Sequence, residues 1–173
     1  DGGRQSTLVF LPGTQATMVL PNDPTPQPLT TLTIRETEFT VGPSGPEAMP
    51  QLLPPTSGYT YATELGIEEA LEAGALRIDF GPQPVLWYIE NFLGFVVGTV
   101  VPGGTLDREA VAWMPEPNGR VVAILGEPGG VAEVDTDGYG LADDLLAMGQ
   151  EERVALAQLY VPPQTLWRVP REH

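Results

Sequence analysis

The run from Val134 to Asp144, VDTDGYGLADD, places four carboxylates and two glycines within ten residues. That density suits either a bound calcium ion or a tight polar turn. A helix–loop–helix calcium loop draws ligands from positions 1, 3, 5, 7, 9 and 12, with glycine at position 6. With Asp135 at position 1, Asp137 falls on 3, Gly140 on 6, the Leu141 carbonyl on 7 and Asp143 on 9. Tyr139 on position 5 offers only a neutral phenol, and Leu146 on position 12 offers no carboxylate, which leaves Asp144 as the nearest substitute. Residues 130–134 read as strand, so no helix precedes the loop. Half a ligand set is present. The expectation is an Asx-type turn in which Asp143 and Asp144 open the next helical segment. The alternative is a weak calcium loop on Asp135, Asp137 and Asp143, with a Kd on the order of 10⁻⁴–10⁻³ M. No other cofactor is expected.

Other groupings carry less chemistry. Glu64, Glu68, Glu69 and Glu72 have the residue type for a glycosidase carboxylate pair, but their place around a short helix is that of a solvated face. Trp87, Tyr88, Trp113 and Trp167 are the aromatic residues from which a sugar-binding platform could be built. Core packing accounts for Trp113 and Trp167. Trp87 and Tyr88 are neighbours in a strand and point to opposite faces, so one of them is expected at the surface or at a module interface. That pair is the candidate docking face. Asp107-Arg108 reads as a local turn contact. Gly126-Glu-Pro-Gly-Gly130 lacks the lysine and the strand-to-helix context of a phosphate cradle, so it reads as a turn.

Composition narrows the classes further. Net charge is −15, from 23 acidic and 8 basic residues, and every basic residue is arginine. Such a chain repels phosphate backbones and anionic lipid, which argues against nucleic-acid and membrane-surface roles. Cysteine is absent and the one histidine is His173, which removes disulfides, thiolate chemistry and sulfur-based zinc sites. A Ser-His-Asp arrangement has only that last residue to draw on. The expectation is that the chain is not an enzyme. No apolar run approaches the roughly 20 residues needed to span a bilayer. The chain begins at Asp1 without a methionine, which points to a segment of something longer, so the lack of a visible targeting signal says nothing about location.

The elements that must position these residues are mostly strands. Residues 7–20 read as strand, turn and strand around Pro12-Gly13. Residues 21–28 hold four prolines and can be neither a central strand nor a helix. Residues 29–41 read as a long strand or a bulged pair. Residues 42–58, with five prolines and three glycines, read as a packed, proline-stiffened connection over Met49, Leu52 and Leu53. A strand at 59–65, a short helix at 67–74 capped by Gly74, and a strand at 75–80 follow. Residues 83–104 are β-rich. Residues 110–126 read as a hairpin turning at Pro117-Asn118-Gly119. A second helix at 150–160 and a closing strand at 164–170 complete the chain. This pattern predicts a mainly β fold, a β-sandwich with two short helices. It forms one unit over 1–173 or two small β modules, 1–104 and 105–173.

Several long phrases carry a resemblance: residues 37–65, residues 83–104, Asp107-Arg108, Trp113, residues 118–126 and Leu166-Trp-Arg-Val-Pro170. Over residues 7–170 the chain resembles the segment that precedes the repeats in large exported bacterial RHS/YD-repeat proteins, relatives of toxin-complex and teneurin-like shells. A broader similarity, carried by Phe80 to Val85, Trp113-Met-Pro115 and the closing strand, is to ZU5-type β-sandwich modules, some of which cleave themselves within a His-Phe-Ser sequence. RHS relatives end in V-P-x-T-H-F-(S/T)-P-W-D. Here Val169-Pro-Arg-Glu-His173 has Glu172 in place of the threonine, and the phenylalanine and hydroxyl residue lie outside the sequence. The resemblance implies a non-catalytic structural or adaptor module of a secreted or cell-surface protein. Its partners would be neighbouring domains of the same polypeptide, or a protein or glycan ligand. A carbohydrate-binding module using Trp87 or Tyr88 is the second expectation, and an autoproteolytic module the third.

Overall fold

The computed structural model describes residues 4–42, 44–51, 60–107 and 110–171. Leu52, Leu53, Arg108 and His173 lie outside the described residues, as do residue 43 and the rest of 52–58 in the 42–58 connection. The described residues form antiparallel sheets and two α-helices, the mainly β, sandwich-like class expected from the sequence. The chain divides into two compact units. One comprises residues 1–14, 82–104 and 115–173, and the other residues 15–81 and 105–114. The units therefore do not coincide with 1–104 and 105–173.

The first unit is built on one sheet. Its strands are β1 (Ser6–Val9), β7 (Val85–Glu90), β10 (Glu133–Asp135) and β11 (Gln164–Arg171), with residues 100–104 of β8 (Val100–Asp107) and 115–126 of β9 (Ala112–Gly126). They lie in the order β1-β7-β11-β9-β10, with β8 against β9. β7 reads Val-Leu-Trp-Tyr-Ile because both of its faces are covered, and all five of these residues are buried. Register places Trp167 opposite both Ile89 and Val121, and Arg168 opposite both Tyr88 and Arg120. The two faces are thereby fixed along three adjacent strands. On one face Leu86, Tyr88, Val122, Ile124 and Leu166 form a core with Val9, Val134, Met148, Tyr160 and Leu156. Leu156 is the central apolar residue of α2 (Gln150–Leu159) and is fully buried. Burying a leucine of this kind contributes about 1.5–3 kcal/mol.

Asn118-Gly119 does not turn the chain; it sits inside the 15-residue strand β9. The reason is steric. A Cβ at Gly119 would lie 2.9 Å from the Arg168 carbonyl oxygen, and one at Gly103 would lie 2.8 Å from that of Pro117. These glycines let neighbouring backbones approach, which is the other role of glycine in a strand.

The second unit holds a three-stranded sheet, β3-β2-β6, of β2 (Ala16–Leu20), β3 (Asp23–Leu29) and β6 (Arg77–Asp79). It also holds a two-stranded sheet of β4 (Ile34–Glu38) and β5 (Thr63–Ile67). β1 and β2 are thus strand, turn and strand as the sequence reads, yet they pair in different sheets. α1 (Glu68–Glu72) follows β5 directly, and Gly74, at φ +66°, ends it. Glu69 receives the backbone N–H and the hydroxyl of Thr33 at 2.8 and 2.7 Å. Glu68 pairs with Arg35. Two of the four glutamates around this helix therefore tie it to β4 and the residue before it.

Candidate functional site

The acidic run closes on itself. β10 ends at Asp135, whose carboxylate is almost fully buried. Its Oδ1 accepts the N–H groups of Asp137 and Gly138 at 3.1 and 2.7 Å, and its Oδ2 accepts that of Gly140 at 2.8 Å. Gly138 and Gly140 stand at φ +90° and +76°, backbone that side-chain-bearing residues rarely adopt. Asp143 closes the far side: its Oδ2 accepts the Thr136 N–H at 2.7 Å, while its Oδ1 accepts the Thr136 hydroxyl and the Leu145 N–H. Burial by itself would raise both carboxyl pKa values. The donated hydrogen bonds outweigh it, and for Asp143 the nearby Arg153 charge adds to them, so both groups sit below the ordinary aspartate value. The turn expected here is present. It does not lead into a helix at Asp143-Asp144, since α2 begins only at Gln150, after Gly149.

One oxygen each from Asp135, Asp137 and Asp143 lies within 4.8 Å of the others. Against a calcium set this arrangement is half-suited. The three carboxylates converge, yet both oxygens of Asp135 and of Asp143 already accept hydrogen bonds from the turn. Each carboxylate retains further lone pairs, so a cation would share these oxygens with N–H and O–H donors.

Arg153, on α2, holds the turn from below. Its Nη2 donates to the Asp143 carbonyl at 2.8 Å and to Asp144 Oδ1 at 3.0 Å, and Nη1 reaches the Ala132 carbonyl at 3.4 Å. Arg120 on β9 adds a bond from Nη1 to the Thr136 carbonyl at 3.3 Å.

The aromatic pair is placed differently from the expectation. Trp87 and Tyr88 do point to opposite faces, but they are 7% and 0% exposed, so neither presents a ring to solvent. The Trp87 indole N–H donates to the Ser6 hydroxyl. Tyr88 donates to Glu152 of α2. Glu152 also takes a two-pronged contact from Arg168 of β11, Nε to Oε1 at 2.6 Å and Nη2 to Oε2 at 3.1 Å. Burial, then the neighbouring Glu152 charge, push the Tyr88 hydroxyl well above its ordinary pKa. Burial would lower the Arg168 pKa, but the bond to Glu152 and the charges beside it raise it. This triad fastens helix to sheet through two adjacent strands. The sequence hints at it only faintly. Glu152 stands four residues before the core-facing Leu156, and Arg168 interrupts the apolar run Leu166–Val169.

Trp167 is buried on the opposite face, beside Phe92 and Phe95 with ring centroids at 5.0 and 5.5 Å. Its indole N–H donates to Asn91 Oδ1 at 2.7 Å. The same oxygen takes the Phe95 N–H at 3.0 Å, and Asn91 Nδ2 returns a bond to the Phe95 carbonyl at 2.8 Å. Asn91 thus shapes the 91–99 loop as a backbone strand partner would. Trp113 differs: its buried indole N–H has no hydrogen-bond partner among the described residues.

The loop that Asn91 shapes touches the acidic turn. A Cβ at Gly98 would lie 2.7 Å from the Asp137 carbonyl oxygen, and one at Gly138 would lie 2.6 Å from that of Val97. Val96 on the one loop, and Tyr139, Leu141 and Leu145 on and just after the other, are between 65% and 84% exposed. Large apolar side chains grouped on anchored loops are a feature of binding surfaces.

A separate cleft of about 860 Å³ runs between residues 10–12 and the first turns of α2. Among the described residues Glu151 is the one ionisable residue lining it, so they bring no carboxylate pair to the cleft. Asp107 accepts the Ala110 N–H at 2.9 Å; the Arg108 part of the expected turn contact lies outside the described residues. No protein-family model, no curated protein and no solved structure matches this chain.

Proposed function

We propose that the chain is a non-catalytic structural module of a large secreted or cell-surface RHS-type protein and works by contact with neighbouring domains. The observation that carries this reading is the exposure of Val96, Tyr139, Leu141 and Leu145 on, or just after, two loops whose backbones approach closely. Hydrogen bonds donated by Asn91 and Arg153 and accepted by Asp135 and Asp143 hold these loops in place. A surface held this way loses little conformational freedom on binding, which favours contact with a partner of fixed shape. The buried polar groups of the first unit serve the same reading, since the Tyr88–Glu152–Arg168 triad joins elements inside the core.

Hydroxyl-radical footprinting tests this. Labelling at Tyr139, Leu141 and Val96 falls when the chain is part of a longer polypeptide carrying its natural flanking domains. Equal labelling in the two settings would refute the contact role.

A second reading adds weak calcium binding to the acidic turn. It is favoured by the convergence of the Asp135, Asp137 and Asp143 oxygens within 4.8 Å.

A further inference from the structure

Strand β3, Asp-Pro-Thr-Pro-Gln-Pro-Leu, carries proline at every second position and forms one edge of the β3-β2-β6 sheet. Its register against β2 pairs Ala16 with Leu29, Thr17 with Pro28 and Met18 with Gln27, then shifts, so that Leu20 faces Asp23 and residues 24–26 fall in an irregular stretch of the ladder. An antiparallel ladder exchanges its two hydrogen bonds at alternate pairs. Pro28 has no N–H to give, so the exchanging pairs are Ala16–Leu29 and Met18–Gln27. The Gln27 and Leu29 N–H groups are therefore turned inward to β2. Pro24 and Pro26 have no N–H either. Thr25, between them, gives its N–H to Asp23 Oδ1 at 3.0 Å, and Gln27 Nε2 reaches Asp23 Oδ2 at 3.2 Å. From Pro24 to Pro28, every N–H is missing, turned inward or taken by Asp23.

We infer that β3 is a closed edge: its outer side offers carbonyl acceptors but no N–H donors, so neither a second copy of this chain nor an extended peptide adds to the sheet there. Exposed edges invite strand addition, and proline is one of the few residues that withholds the donor while remaining in an extended strand. The inference is independent of the proposed contact surface, which lies in the other unit. It gives a reason for the proline run that a simple loop would not need: Gln27 and Leu29 keep their donors toward β2, while Pro24, Pro26 and Pro28 have none to offer outward.

The test compares the full chain with the variant Pro24→Thr/Pro26→Thr/Pro28→Thr and with Pro26→Thr alone, using sedimentation equilibrium over a concentration series. Threonine suits a strand and restores the donor. The triple variant is expected to self-associate at least about tenfold more tightly than the parent. Slowed amide exchange at residues 24–28 should accompany that association. Pro26→Thr, a single exposed change, keeps the test decisive if the triple variant does not fold; it should self-associate more tightly than the parent too. Equal self-association of a folded variant and the parent would overturn the inference. So would parent chains that associate with protection of residues 24–28.

Discussion

Glu152→Ala is the perturbation whose magnitude follows most directly from the geometry. It leaves the Arg168 guanidinium, whose side chain is 13% exposed, and the fully buried Tyr88 hydroxyl without their common acceptor. Removing one partner of a buried ion pair costs about 3–5 kcal/mol, because the remaining charge stays desolvated. The Tyr88 hydroxyl adds the penalty of an unsatisfied buried donor, about 1–3 kcal/mol if no water reaches it. The two costs overlap, since both groups can relax into the same vacated space. The expected loss is about 4 kcal/mol, or about 8–16 °C in melting temperature for a chain of this size. Urea unfolding followed by tryptophan fluorescence reads it, because Trp87 and Trp167 sit on strands flanking the triad. The combined variant Glu152→Leu/Arg168→Met/Tyr88→Phe removes all the polar groups together and should recover most of the loss. A loss below about 1 kcal/mol for Glu152→Ala would refute the argument. So would a combined variant as unstable as the single one, which would mean that shape rather than charge pairing holds α2 on the sheet.

Three further outcomes follow from other parts of the molecule. Gly119→Ala places a Cβ against the Arg168 carbonyl, so the β9–β11 pairing must shift. The expected cost is about 1–3 kcal/mol by urea denaturation, and a neutral result would contradict the close approach. Asp135 and Asp143 have folded pKa values depressed below those of the unfolded chain. Their contribution is therefore complete above the unfolded value near 3.9 and is lost as pH falls through the folded values. Melting temperature should be flat from pH 7 to about 5 and fall below about 4, and Asp135→Asn should flatten that acid limb. For calcium, a Kd of about 10⁻³ M would stabilise the chain by about 1.4 kcal/mol at ~10 mM ion. Melting with and without calcium, with magnesium as control and Asp137→Asn as the deficient variant, reads this; no shift at ~10 mM would remove the second reading.

The mainly β class was legible because apolar residues run in short, proline- and glycine-bounded stretches. Both helices were legible too, α1 from an acidic first turn and a glycine cap, α2 from apolar positions at Val154, Leu156 and Leu159. Other features were hidden for physical reasons. Asn118-Gly119 has the composition of a hairpin turn, but the same glycine serves a tight strand approach, and only the neighbouring Arg168 backbone distinguishes the two. Trp87 and Tyr88 looked like docking residues because a strand buried on both faces shows no alternation to reveal it. Nothing in the spacing joins Glu152 to Arg168, since their pairing depends on a helix packed against a sheet built from distant segments. The acidic turn was legible as a turn from its glycines and aspartates. Its contact with residues 97–98 was not, since nothing in the spacing joins segments forty residues apart.

The measurement that bears most directly on the proposed role separates contact from stability. Tyr139→Ser/Leu141→Ser/Leu145→Ser changes exposed side chains only, so the isolated chain should unfold within about 0.5 kcal/mol of the parent. The same substitutions in a longer polypeptide with its natural flanking domains should loosen that assembly, seen as faster proteolysis between the domains and increased labelling at Val96. Unaltered proteolysis and labelling in the longer polypeptide, with the substituted chain still folded, would contradict the contact role.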